Sequence, residues 1–242
     1  MHANGSIAII PARFNSTRLP GKPLKEIHGL TLIEHVYRRV ERARGIDRIL
    51  VATDDERILQ AVERFGGDAV LTRTDHLSGT DRLSEAAAGL PDDMIVVNIQ
   101  GDEPLIEPEV IDQALDAARM RDADVVTLMT SMTDLEAIRD PNRVKVVVDR
   151  NGFALYFSRS PVPSSGKCFL HLGLYAYRVG FIKVFAALEP ARLERDERLE
   201  QLRILEHGFK IRVVEVESES RSIDTPADLE EFERLLGKQN NG

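Results

Sequence analysis

Three positive side chains, Arg13, Arg18 and Lys22, fall within ten residues of one another in the stretch Pro11-Ala12-Arg13-Phe14-Asn15-Ser16-Thr17-Arg18-Leu19-Pro20-Gly21-Lys22-Pro23. Held together they repel one another unless an anion satisfies them. A triphosphate suits the set, because Arg forks two oxygens and Lys acts as a mobile point charge. Gly21 permits close backbone approach, and Pro20 and Pro23 stiffen the loop. Pro23 stands where a Walker A loop needs Ser or Thr, so that motif is excluded. An ordinary surface loop with solvated charges is the plainer alternative.

Acidic residues supply the complementary chemistry. Gln100-Gly101-Asp102-Glu103-Pro104 follows a strongly apolar run. Asp102 there is the first candidate to hold Mg²⁺ against phosphate oxygens, since that ion takes one or two carboxylates and completes its shell with water and phosphate. Glu103 and Glu107 are weaker candidates, and an aspartate that merely satisfies a turn is the competing reading. In Ser222-Ile223-Asp224-Thr225-Pro226-Ala227-Asp228, Thr225, Pro226 and Asp228 fit helix positions N-cap, N1 and N3. Asp224 is left over, free to be a second metal ligand.

The elements that must position these residues alternate between β and helical patterns, predicting an α/β fold: an open, mostly parallel, Rossmann-like sheet with helices on both faces. Strands are expected at Ser6–Ala12, Arg48–Thr53, Asp68–Thr72, Met94–Gln100, Asp124–Thr130 and Val144–Asp149. Helices are expected from a Thr31 cap through about Arg44, from Asp54 or Asp55 to Gly66-Gly67, from Pro108 to Met120, and from a capping box at Thr133. After Asp149 come β runs at Phe153–Arg159 and Phe169–Arg178, helices at Val179–Leu188 and Asp196–His207, a strand Lys210–Val216 and a last helix from Thr225-Pro226. This predicts a nucleotide-binding core of 1–154 and 209–242, with a small antiparallel and helical lobe inserted at 155–208. Lys238–Gly242 reads as a frayed tail. The basic loop then lies between the first strand and first helix, at the sheet edge where open α/β folds bind ligands.

Composition sets outer bounds. The 242 residues hold 43% hydrophobic and 30% charged residues, enough for a substantial core. A net charge of −8 gives no global positive field for nucleic acid. The single Cys168 excludes an internal disulfide and reads as a small buried apolar residue. No run approaches the roughly 18 apolar residues of a membrane span, and Ile7–Ile10 is too short for a signal core. A cytoplasmic location is expected, with no membrane and no nucleic-acid partner.

IPARFNSTRLPGKPL at 10–24, VATDD at 51–55, LTRTDHLSGTDRL at 71–83, VVNIQGDEPLI at 96–106, ALYFSR at 154–159, HLGLYAYR at 171–178, LEQLRILEHG at 199–208 and IDTPADL at 223–229 together resemble the CMP-KDO synthetases, the 3-deoxy-manno-octulosonate cytidylyltransferases. The resemblance implies transfer of CMP from CTP to the anomeric hydroxyl of KDO with release of pyrophosphate, in lipopolysaccharide precursor synthesis, by a Mg²⁺-dependent homodimer. It assigns Ala12, Arg13, Lys22, Arg73, Ser78, Gly79 and Gln100 to CTP, with Arg73 and Gln100 near the cytosine or ribose. Arg13, Lys22 and Asp102 become the catalytic groups, Asp102 and Asp224 the metal ligands. Arg159, His171, Tyr175, Glu200 and Gln201 line the sugar-acid pocket. Structural alternatives stand beside these: a core histidine at His171, packing for Tyr175 or Tyr177, a surface pair of Glu200 with Arg203, and a turn cap at His76. The stretch Ser160–Leu170 is shorter than is usual in the family, and Leu170 replaces a common basic residue. A related acid sugar, the 8-amino analogue of KDO or a sialic-type sugar, is the alternative substrate. A metal-dependent glycosyltransferase and a non-catalytic nucleotide-binding module are further readings.

Overall fold

A computed structural model describes residues 5–15, 19–76, 78–218 and 222–239. Arg18, the third cation of the basic loop, lies outside the described residues, as does the tail beyond Gln239. The first half contains β1 (Ser6–Ala12), β2 (Glu26–Ile27), β3 (Leu30–Thr31), α1 (Leu32–Val40), β4 (Arg48–Thr53), α2 (Glu56–Arg64), β5 (Ala69–Leu71), α3 (Gly79–Ala86), β6 (Ile95–Asn98) and α4 (Pro108–Arg119). The second contains β7 (Val125–Met132), α5 (Leu135–Arg139), β8 (Lys145–Val148), β9 (Ala154–Ser158), β10 (Cys168–Arg178), α6 (Val179–Ala187), α7 (Arg192–Glu197), α8 (Gln201–Glu206), β11 (Ile211–Glu215) and α9 (Pro226–Gln239).

Alternate residues of β1 feed two separate cores, which is the mark of a strand covered on both faces. Ala8 and Ile10 pack with Val36 of α1 and Ile111 of α4. Ile7 and Ile9 pack on the other side with Leu83 of α3 and Ile182 of α6. The strand order is β11-β7-β10-β6-β1-β4-β5. Strands β6, β1, β4 and β5 run parallel, as do β11 and β7. Local signals placed the caps well: Thr31 Oγ1 accepts from Glu34 N, and Asp55 caps α2. Helix α1 stops at Val40, short of Arg44, and Asp134 caps α5 where Thr133 was expected.

The expected lobe at 155–208 requires correction. Its long strand β10 is a central member of the main sheet, antiparallel to both β6 and β7. Only the β8–β9 ribbon stands off the main path of the sheet. The single helix expected at Asp196–His207 is two, α7 and α8, broken where Arg198 takes a left-handed conformation at φ 56°. Helix α3, absent from the sequence reading, begins at Ser78, whose hydroxyl accepts from Asp81 N while the Asp81 carboxylate accepts from Ser78 N.

One polar group holds α3 to the sheet. Arg82 is fully buried, and its Nη2 donates to Asp54 Oδ2 at 2.7 Å. Arg82→Met leaves Asp54 without its cation, and stability is expected to fall by about 3 kcal/mol. An unchanged urea midpoint would show that the pair contributes nothing net.

Candidate active site

Strands β1 and β6 end side by side, and their carboxyl ends open into a cleft of about 460 Å³. Ala12, Arg13, Lys22, Ser78, Gly79, Gln100, Asp102 and Asp224 all line it. Gly101 lines the cleft, and Gly21 leads directly into Lys22, which lines it. Gly21 sits at φ 67° over the Phe14 ring, a left-handed conformation that suits glycine. At Gly101 a Cβ would lie 2.8 Å from the Pro11 carbonyl, so only glycine lets the β6 loop reach the end of β1.

Lys22 opens a short 3₁₀ turn at Lys22–Leu24, and its ammonium joins the distant acidic segments. Nζ donates to Asp102 Oδ2 at 2.6 Å, to the Ile223 carbonyl at 2.8 Å and to Asp224 Oδ1 at 3.2 Å. The Ile223 amide donates to the Asp102 carbonyl, which fastens the two loops together. Arg13 Nη2 is buried with no hydrogen-bond partner among the described residues, a cost that a phosphate oxygen would relieve.

The two carboxylates and one carbonyl already converge on a cation, the Lys22 ammonium, and all are hard oxygen donors suited to Mg²⁺. Among the described residues no cluster of three or more His, Cys, Asp or Glu could hold a metal. Two carboxylates and one carbonyl are a donor set that fits a cation taking much of its shell from water and substrate phosphate.

A second cavity of about 560 Å³ adjoins the first, and Gly79, Asn98 and Gln100 line both. It contains Arg159, His171, Tyr175, Glu200 and Gln201, every residue expected of the sugar pocket. The antiparallel β10 explains this placement. Tyr175 pairs with Asn98, the last residue of β6, so the preceding part of β10 overhangs the carboxyl end of β6. His171 rides on that overhang.

Burial tunes the groups here. His171 is held down to about 3 by desolvation and is neutral at physiological pH. Burial raises Tyr175, helped by the Glu200 charge. Burial also raises the Glu200 carboxyl, against the donation from Thr80 Oγ1 to Oε2 at 2.7 Å. Glu200 is thus no simple surface partner of Arg203, which pairs more closely with Glu194. Arg159 Nε, Nη1 and Nη2 donate to the carbonyls of Glu197, Pro141 and Arg198. Three of its five N–H groups are thereby used to fix its orientation.

Arg73 is the exception among the expected residues. Its guanidinium is 69% exposed and bonds Asp75, so the structure does not bring it to the cleft. The two residues form a local pair two positions apart, which needs no ligand. His76 pairs with Glu85, a residue of α3. Tyr177 is buried in the core and stacks on Phe185. Sequence reasoning missed Asn98, Thr80 and Arg198, because an isolated polar residue in a strand or helix carries no local pattern.

The basic loop and facing aspartates at the edge of an open sheet are a nucleotidyltransferase arrangement, and residues 7–211 match the family model described as cytidylyltransferase. A 3-deoxy-manno-octulosonate cytidylyltransferase from Pelobacter propionicus is 53% identical, covering 92% of this chain and 93% of its own. One from Syntrophobacter fumaroxidans is 50% identical, covering 96% and 97%. The solved structure of CMP:2-keto-3-deoxy-manno-octonic acid synthetase complexed with CTP is 42% identical, with a TM-score of 0.92 over 98% of this chain and 100% of that one. The chain belongs to the 3-deoxy-manno-octulosonate cytidylyltransferase family.

Proposed function

We propose that the protein transfers CMP from CTP to KDO and releases pyrophosphate. Its family membership supports the activity, and the observation that carries the site assignment is the meeting of Arg13, Lys22, Asp102 and Asp224 in one cleft that opens past Asn98 and Gln100 into the second cavity. CTP occupies the first cavity and the sugar acid the second. The C2 hydroxyl of KDO attacks the α-phosphorus in line: a new O–P bond forms, the bond to the β-phosphate oxygen breaks, and the hydroxyl proton is released.

The chain contributes chiefly position and charge. Arg13, whose Nη2 has no hydrogen bond among the described residues, and Lys22 bind the triphosphate and stabilise the leaving pyrophosphate. Asp102 and Asp224 would hold Mg²⁺, which when bound neutralises charge on the transferring phosphate. Ser78 and Gly79 present the start of α3, a favourable end for an anion. Arg159, His171, Tyr175, Glu200 and Gln201 orient the sugar acid. A homodimer and a cytoplasmic location belong to the same reading on the family resemblance; no helix among the described residues is long and apolar enough to cross a membrane.

The test presents purified protein with CTP, Mg²⁺ and a panel of KDO, its 8-amino analogue and a sialic acid, and measures pyrophosphate release. KDO is expected to give the highest kcat/KM. Preference for either other acid would overturn the substrate, and absence of pyrophosphate with all three would overturn the activity.

A further inference from the structure

The hydroxyl of Thr127 sits at a break in the sheet. The register of β10 against β7 shifts between Leu172 and Tyr175, forming a bulge that contains Gly173. A bulge frees backbone groups from the ladder. Thr127 Oγ1, with the residue fully buried, lies 2.7 Å from the Leu174 carbonyl, 3.2 Å from the Leu172 carbonyl and 2.9 Å from His171 Nε2.

This set of contacts determines the tautomer of His171. A threonine hydroxyl has one proton to give and two lone pairs to accept with. Carbonyls only accept, so the proton goes to Leu174, the shortest of the three contacts. The 2.9 Å contact is then a hydrogen bond only if Nε2 carries a proton and donates to Oγ1. Since the ring is neutral, Nδ1 must keep its lone pair. No hydrogen bond reaches Nδ1 among the described residues, and His171 lines the second cavity.

Two more acceptor atoms on residues lining that cavity receive no hydrogen bond among the described residues. Asn98 is 6% exposed and its Oδ1 is buried and unbonded. Glu200 Oε1 is likewise buried without a hydrogen bond, with Arg203 Nη2 at 3.8 Å, while Oε2 is taken by Thr80. Orphaned acceptors are costly unless a ligand supplies donors.

We infer that Asn98, His171 and Glu200 form an acceptor wall that reads the donor hydroxyls of the bound sugar acid, and that Thr127, touching no substrate, is the positioning residue that makes His171 an acceptor. The inference rests on the proposed function for the identity of the sugar. A carboxylate offers this wall no donor, so KDO binds with hydroxyls against it and its carboxylate directed elsewhere. Asn98 lies where the two cavities meet, so it reads the sugar near the attacking end.

The experiment has two arms. In the first, ¹⁵N-histidine NMR of the substrate-free protein should show His171 as a neutral ring protonated at Nε2; Thr127→Val should lose that pure tautomer and Thr127→Ser should restore it. In the second, Thr127→Val and Asn98→Leu should each raise KM for KDO by about tenfold, the scale of one net hydrogen bond; for Thr127→Val, which touches neither substrate, KM for CTP should be unchanged, and Thr127→Ser should stay near wild type. Thr127→Val should also lose discrimination against one KDO deoxy analogue relative to wild type. A wild-type ring protonated at Nδ1 overturns the proposal, whether or not the variants fold. Equal rises in both KM values for Thr127→Val, or no rise for KDO with either variant, overturn it as well. If the tautomer is as stated but KDO is no substrate, the substrate assignment fails and the wall serves another polyhydroxylated ligand.

Discussion

Asp102→Asn is expected to leave the fold intact and to lower kcat/KM by about 10²–10³, the usual cost of one charge-stabilising contact at a reacting phosphate or oxyanion. The substitution keeps the volume and the planar group but removes the charge. The backbone link from the Ile223 amide to the Asp102 carbonyl does not depend on that side chain, so the two loops stay joined. The ion pair with Lys22 Nζ at 2.6 Å weakens to an ordinary hydrogen bond. Circular dichroism and thermal unfolding should therefore change little while turnover collapses. Mn²⁺ binding, followed by electron paramagnetic resonance, should weaken in parallel. Near-normal turnover by a folded Asp102→Asn protein would refute its placement at the reacting phosphate.

Lys22→Met is expected to lower kcat/KM for CTP by a similar factor of about 10²–10³, with an opposite sign in a second measurement. The Lys22 ammonium pairs with both Asp102 and Asp224, and its side chain is only 12% exposed. Removing it takes from both carboxylates the cation they share, which lowers stability. Lys22 would also compete with the proposed divalent ion for those oxygens. The variant should accordingly unfold at lower temperature without metal, recover more than wild type on adding Mg²⁺, and bind Mn²⁺ more tightly in the absence of nucleotide. Binding that stabilises only the folded state raises the transition in proportion to occupancy, so the two proteins can be compared at matched metal concentration. Unchanged CTP kinetics would remove Lys22 from the triphosphate site, and weaker Mn²⁺ binding would remove it from competition with the metal.

Much of the nucleotide half was legible before any coordinates. Strands Ser6–Ala12 and Arg48–Thr53 appear with the expected bounds, because continuous apolar runs ending in turn residues leave little freedom. The caps at Thr31 and Asp55, and the Thr225–Asp228 pair that opens the last helix, follow from side-chain chemistry within four residues. Helix α3 was hidden inside a segment read for its chemistry, although Ser78 and Asp81 form a capping box that the same rules describe.

Local sequence determined which groups this protein has for its chemistry: a cationic loop after the first strand, carboxylates at Asp102 and Asp224, and a polar set on the later β and helical runs. Each of those depends on residues near one another in the chain. Tertiary structure alone decided that β10 threads between β6 and β7, that the overhang carries His171 to the cavity, and that Asn98 falls where two cavities join. Strand pairing joins residues dozens of positions apart, and a hydroxyl such as that of Thr127 acquires its role only when a bulge in another strand brings two carbonyls and an imidazole within reach of its single proton.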